Sequence, residues 1–174
     1  MQEIKLESIE TELFKATWSL YEGSFPSNEK RELSVQEKIL KNKNYTALCY
    51  LDSKNQLIAL LFYWKLGEFY FIEHFAVHPK CRGQSYGTKI LNEFLKDKKN
   101  VVLEIEPVCD EQTKKRLDFY KRANFVENNY EHYQIPLKKD DKSIILTLLS
   151  YEKAINNEEY SKLHKLMQES LAIY

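Results

Sequence analysis

Phe69-Tyr-Phe-Ile-Glu-His-Phe-Ala-Val-His-Pro-Lys-Cys-Arg-Gly-Gln-Ser-Tyr-Gly-Thr88 reads as a buried strand that breaks into a turn and opens a helix. The mostly apolar and aromatic run stops at Pro79, which has no N–H to give to a sheet ladder. Arg82-Gly83-Gln84-Ser85-Tyr86-Gly87 then supplies a basic side chain and two of the chain's four glycines. Apolar residues next recur at Ile90, Leu91, Phe94 and Leu95, the spacing of one helix face. A strand feeding a glycine-containing loop at a helix N-terminus makes an anion cradle, because unpaired N–H groups and the helix dipole point at one spot. The anion that best fits such a cradle is a pyrophosphate.

On the N-terminal side of this stretch, Tyr45 to Leu51 and Leu57 to Leu66 are β-type runs joined by the turn cluster Asp52-Ser53-Lys54-Asn55. Gly67-Glu68 gives a second tight connection, so the runs 45–51, 57–66 and 69–78 are expected to form an antiparallel meander. Before it, residues 4–9 suggest a strand, Thr11 to Gly23 a helix, and Glu29 to Lys41 a second, more polar helix. After it come a helix near 84–96, a strand at Val101 to Glu106 and a helix over 111–123. Strand 69–78 and strand 101–106 then become parallel neighbours joined by a right-handed crossover. Phe125 to Ile135 and Ser143 to Leu149 read as two further strands. The chain closes on an amphipathic helix with Tyr160, Leu163, Met167, Ser170, Leu171 and Tyr174 on one stripe. The expected fold is α/β: one domain over 1–174, a mixed sheet of roughly seven strands with helices on both faces, in which 143–174 adds a strand and the amphipathic helix.

The 26 basic and 26 acidic side chains cancel, which argues against a general affinity for nucleic acid or an anionic membrane. No apolar stretch approaches a membrane span, and the start lacks a signal-peptide core. The three cysteines, Cys49, Cys81 and Cys109, show no metal-ligand spacing and read as reduced thiols of a cytoplasmic protein. No metal is expected. A Gly-x-Gly-x-x-Gly motif after the first strand is absent, which disfavours a nicotinamide or flavin site.

Ala76-Val77-His78-Pro79 followed by Arg82-x-x-Ser85-x-Gly87 resembles the signature of the GNAT superfamily of N-acyltransferases, (Q/R)-x-x-G-x-(G/A). The order of elements is similar to that family over nearly the whole chain. Asp118-Phe119-Tyr120-Lys121-Arg122-Ala123-Asn124-Phe125 resembles its Phe/Leu-Tyr-x-x-x-Gly-Phe segment. Glu104-Ile105-Glu106-Pro107, Asp110-Glu111 and Tyr133-Gln134-Ile135-Pro136 resemble bacterial members with poorly defined acceptors. Two departures stand out: Ser85 replaces the usual middle glycine, and Asn124 replaces the glycine before Phe125.

The resemblance implies acetyl-coenzyme A as co-substrate and a primary amine of a small molecule or peptide as acceptor. It places the pantetheine arm against backbone groups of Phe75, Ala76 and Val77, and the pyrophosphate on N–H groups of Arg82, Gly83, Gln84, Ser85, Tyr86, Gly87 and Thr88. It also implies a backbone N–H on strand 69–78, at a bulge, as an oxyanion site. Tyr120 matches the family's tyrosine and is the expected general acid for the leaving thiolate. Glu73 is the expected base, because alternation puts Phe71, Glu73 and Phe75 on one strand face; a sheet-surface salt bridge is its bland counterpart. His74 falls on the other face, where a structural role is simpler. Cys109 as an acyl carrier lacks an activating base, and Cys81 at the loop entrance reads as an inert thiol. The family's acceptor wall falls on Phe25 to Arg31, where Arg31 is either a clamp for an acceptor carboxylate or, more simply, an exposed helix charge. A domain that binds coenzyme A without catalysis is the competing function, and a homodimer through the last helix competes with packing of that helix on its own sheet.

Overall fold

A three-strand meander organises the molecule, and its turns show why. In the computed structural model, which describes residues 1–139 and 141–172, the β-runs fall at β2 (Tyr45–Leu51), β3 (Leu57–Leu66) and β4 (Phe69–Val77). The β2–β3 turn is held by the Asp52 carboxylate, which accepts the N–H groups of Lys54 at 2.7 Å and Gln56 at 2.9 Å. Asn55 there takes a φ of 60°, a left-handed geometry asparagine tolerates. Before the meander lie β1 (Gln2–Leu6), α1 (Glu12–Ser24), a 3-10 turn at Ser27–Glu29 and α2 (Leu33–Leu40). After it come a 3-10 turn at Pro79–Cys81, α3 (Tyr86–Leu95), β5 (Val101–Ile105) and α4 (Glu111–Arg122). The chain continues through β6 (Phe125–Glu127), β7 (His132–Tyr133), β8 (Ile145–Tyr151) and α5 (Asn157–Leu171).

The strands make a mixed sheet in the order β1-β2-β3-β4-β5-β8-β6, with β7 pairing on β8. The β4–β5 pair is parallel and joined through α3, and the other pairs are antiparallel. Helices cover both faces. Phe14 and Tyr21 of α1, Val35 and Ile39 of α2, and Leu163, Met167 and Leu171 of α5 share one core with Phe62 and Val102. Ile90 and Phe94 of α3, with Leu117 and Tyr120 of α4, share the other with Leu61 and Leu103. The fold is therefore the expected mixed α/β sheet, with eight strands among the described residues where roughly seven were expected. The apolar stripe of α5 packs on its own sheet; Tyr174, assigned to that stripe from sequence, lies outside the described residues.

The first strand lies at Gln2–Leu6 rather than 4–9, and two further expected elements differ in kind. The helix expected from Glu29 to Lys41 is a 3-10 turn, an extended step and the shorter α2, because Arg31 is drawn into the interior. The strand expected from Phe125 to Ile135 is interrupted after Glu127. There the Asn128 side chain does the work of a ladder, donating to Leu148 O at 3.2 Å and Ser150 Oγ at 2.9 Å and accepting from Ile155 N at 2.8 Å. Among the described residues no helix is long and apolar enough to cross a membrane.

Leu163 is fully buried between α5 and the sheet. Leu163→Ala is expected to lower unfolding free energy by about 2–5 kcal/mol, measured by urea titration. A loss below about 1 kcal/mol would mean that α5 does not pack as described.

Candidate active site

Only three residue pairs hold β4 to β5: Tyr70 with Val101, Phe71 with Val102 and Ile72 with Leu103. Beyond them β4 follows β3 as far as Val77, while β5 follows β8 as far as Ile105. The strands part where the β3–β4 register slips. Phe62 faces His74 and Tyr63 faces Ile72, so Glu73 is the extra residue of a β-bulge. Past the bulge, the facing edges of β4 and β5 have no strand partner among the described residues, an interior gap that needs another polar group to fill it. A cleft of about 440 Å³ opens there, lined by Phe75, Ala76 and Val77 of β4 and Leu103, Glu104 and Ile105 of β5. Phe119 and Tyr120 of α4 form one wall, and Phe25, Pro26 and Glu29 the opposite one.

The bulge corrects two expectations: His74, expected on the face opposite Glu73, lies on the same α1 side with Nδ1 3.5 Å from Glu73 Oε2, and Phe71 and Phe75 part. Straight alternation would put Phe71 and Phe75 on the same face, but the extra residue sends Phe71 into the α1/α5 core and Phe75 into the α3/α4 core.

At one end of the cleft the chain turns into α3. Arg82 lines the cleft and donates Nε–H to Val77 O at 3.2 Å. Lys89 N–H makes the first α3 bond, to Ser85 O at 3.0 Å, which leaves Tyr86, Gly87 and Thr88 N–H without helical partners. Gly87 also lines the cleft; a Cβ there would come within 3.3 Å of Val77 and 3.5 Å of Phe119. Gly83, Gln84, Ser85 and Thr88 are exposed around the turn and Tyr86 is half-buried. Ser85 has φ 61°, so the position calls for a left-handed residue, and serine occupies it under strain. Asn124 likewise has φ 64°, just past the end of α4.

At the inner end, Glu73 meets Arg31. The guanidinium Nη2 lies 2.6 Å from Glu73 Oε1, and Nη1 donates to Leu171 O at 3.0 Å. Arg31 is 1% exposed, which corrects its reading as a surface charge. Burial by itself would raise the Glu73 carboxyl, but Arg31 and His74 outweigh it and hold it at about 2. A carboxyl so acidic and so fully paired is a poor proton acceptor, and the geometry favours a structural role for Glu73 at the bulge. His74 packs edge-on against Tyr21 and Phe25, and its Nε2 lies 2.7 Å from Glu29 O.

Tyr120 is 8% exposed and its ring packs edge-on against Phe119 and Phe125. Burial pushes its hydroxyl up to about 12, with Arg116 opposing. Glu106 pairs with Arg116 on the same cleft wall. Glu104 pairs through Oε1 with His132 Nε2 at 2.5 Å. Glu29 has no ion pair among the described residues; burial, then the charge of Glu106, raises its carboxyl. Arg116 was not singled out from sequence, and Glu29, Glu104 and Glu106 entered only inside a resemblance; the signal available for Glu104 was its alternation with Val102 on β5. Cys109 is exposed, Cys81 is half-buried, and neither lines the cleft. Among the described residues no group of three or more His, Cys, Asp or Glu side chains is placed to hold a metal.

Comparison with known proteins points the same way. The sequence model described as the acetyltransferase (GNAT) family matches residues 11–125. A Bacillus subtilis protein assigned as an acetyltransferase, YjbC, is 32% identical over 103 residues, covering 58% of this chain. The match spans only about half, 52%, of that relative's length. A solved structure from Bacteroides thetaiotaomicron, assigned to the GNAT family, superposes with TM-score 0.89 at 27% identity over 100% of both chains. A GNAT family acetyltransferase from Elizabethkingia anophelis with acetyl-CoA bound has TM-score 0.59 at 15% identity, covering 87% of this chain and 97% of its own, a likeness of fold alone.

Arg31→Met strands the Glu73 carboxylate in the interior and is expected to cost about 3–5 kcal/mol, read from chemical unfolding. The depressed Glu73 carboxyl contributes stability that is present above the unfolded value and lost as pH falls toward about 2. Glu73→Gln is therefore expected to be less stable at neutral pH and flatter across that acid window. An acid profile parallel to the parent's would refute the pairing. Ser85→Gly removes the left-handed strain and is expected to raise stability by up to about 1 kcal/mol; a loss of stability would show that Ser85 is not strained.

Proposed function

We propose that this chain, which belongs to the GNAT acetyltransferase family, moves an acetyl group from acetyl-coenzyme A to a primary amine of a small molecule or peptide by direct transfer. The observation that carries the reading is the parting of β4 from β5 beside a helix N-terminus, with a tyrosine in the wall of the gap. The site fits the co-substrate on three counts. The unpaired β4 edge at Phe75, Ala76 and Val77 accepts an extended amide-bearing arm by strand addition. Arg82 and the N–H groups opening α3, from Gly83 through Thr88, hold the pyrophosphate. Gly87 keeps the floor open where a side chain would press on Val77 and Phe119.

Acetyl-coenzyme A supplies the activated thioester when bound; the protein supplies position, polarisation and protons. Backbone N–H groups at the Glu73 bulge polarise the thioester carbonyl and take the negative charge that develops on its oxygen. Tyr120 donates its hydroxyl proton to the departing sulfur. A phenol raised to about 12 is fully protonated at neutral pH, the state a donor needs. The acceptor enters past Phe25, Pro26 and Glu29, whose carboxylate gives that wall a site for an amine cation. Free thiols at Cys81 and Cys109 fit a reaction in the reducing cytoplasm.

Incubating the protein with acetyl-coenzyme A and pooled primary amines is expected to release free thiol and to leave one amine heavier by an acetyl group. Tyr120→Phe is expected to lower turnover about 10²-fold while acetyl-coenzyme A affinity, by calorimetry, stays near the parent's. Equal turnover in the variant would take Tyr120 out of the reaction, and absence of calorimetric binding in the parent would reject the proposed function.

A further inference from the structure

Glu104 stands on β5 one residue beyond Leu103, the last residue paired to β4, so it sits at the fork of the cleft. Alternation with Val102 turns it toward the α1/α5 face, opposite the face from which Tyr120 enters. One oxygen is taken: Oε1 lies 2.5 Å from His132 Nε2. His132 is fully buried, and its Nδ1 lies 3.1 Å from Tyr160 Oη on α5. Tyr160 is itself clamped by stacking on Tyr130, ring centroids 3.9 Å apart at 5°. With His132 carrying its proton on Nε2, that proton goes to Glu104 and Nδ1 accepts from the tyrosine. Glu104 Oε2 has no partner among the described residues. Glu104 also lines a second cavity of about 30 Å³ behind the cleft, with Glu29, Glu73 and His74, a space of water or ammonium size.

We propose that Glu104 is the base that receives the proton of the acceptor amine, with His132 and Tyr160 as positioning residues that fix its carboxylate. The inference rests on the acetyl-transfer reading above. Glu104 Oε2 takes one proton from the ammonium form of the acceptor, becoming a carboxylic acid and freeing the nitrogen lone pair, which attacks the thioester carbon. The adduct nitrogen gives its surplus proton to solvent, and collapse expels the thiolate, which Tyr120 protonates. Solvent then takes up the Glu104 proton and returns one to Tyr120. Glu73 cannot take this part while Arg31 holds it. Glu29 on the opposite wall, His74 beside Glu73, Glu106 with Arg116, Lys115 and Tyr120 on α4, Arg82 at the α3 end, and His164 and Tyr160 on α5 are other titratable or charged groups about the site among the described residues.

The test is the pH profile of kcat/KM for thiol release from acetyl-coenzyme A with benzylamine, tyramine and spermine as acceptors. Glu104→Gln is expected to lose about 10²–10³-fold near neutral pH, the deficit closing as pH rises and solution supplies free amine. His132→Asn and Tyr160→Phe are expected to lose about tenfold with the same closing; where the buried His132 variant fails to fold, Tyr160→Phe still keeps the stacked ring and removes only the O–H. Acetyl-coenzyme A affinity is expected to be unchanged in all three. A pH-independent deficit, an unaltered Glu104→Gln profile, or a closing deficit found in Glu29→Gln instead overturns the assignment. Should the parent bind acetyl-coenzyme A yet turn over none of the three amines, the acetyl-transfer reading falls and takes Glu104 with it, whereas turnover by the parent with an unaltered variant overturns Glu104 alone.

Discussion

An interior sheet edge left unpaired is the constraint around which this molecule is built. Buried backbone N–H and C=O groups are costly without partners, so strands in a core normally stay together along their length. Here β4 and β5 separate after three pairs although both run on, each secured on its far side by an antiparallel neighbour. The separation is stable because β3 and β8 carry the load of pairing. The one-residue excess at Glu73 bends β4 away at the point where the parallel ladder ends. What remains is a slot with hydrogen-bonding walls that reaches Arg82 and Gly87 at the start of α3.

The Arg31–Glu73 pair follows from that bend. A bulge turns its extra side chain toward whatever lies beside the strand, and here that is a carboxylate in a nearly dry interior. Such a charge persists only with a partner, and Arg31 reaches in from the α1–α2 connection to provide it. The same guanidinium takes the carbonyl of Leu171 near the end of α5, and Arg31 N–H donates to Tyr21 Oη at 2.7 Å. Arg31 thereby ties α1 through its main-chain N–H, and β4 and α5 through its guanidinium, at the inner end of the cleft. The cost is that Glu73 loses the basicity its position suggests.

Sequence reading was accurate where local chemistry decides. β2 and β3 fall where alternation and the Asp52 turn place them, and Tyr120 lies in the cleft wall where its motif puts it. It missed where distant residues decide. The bulge has no local signature, so alternation carried past Glu73 assigned Phe71 and Phe75 to one face wrongly. Arg31 and Glu73 are 42 positions apart, and nothing near Arg31 announces its burial. Glu104 and His132 are 28 apart and meet because β7 pairs with β8 and β8 pairs with β5. The break after Glu127 depends on Asn128 reaching Leu148, Ser150 and Ile155, all distant in the chain.

The two sheet faces divide the chemistry of the cleft. The α3/α4 face is aromatic and aliphatic around Tyr120, with Phe75, Phe119 and Phe125 beside it, and so favours a neutral phenol. The α1/α5 side gathers Glu29, Glu73 and Glu104 about a small cavity, and so favours a cation or a departing proton. Proton donation and proton acceptance ask for opposite environments: a low-dielectric wall keeps an acid protonated, while a base needs a second group to orient it. A flat sheet with both strands paired would bury these faces from each other. Parting β4 from β5 lets one ligand touch both, which is why the bulge, rather than any single side chain, sets what the cleft can do.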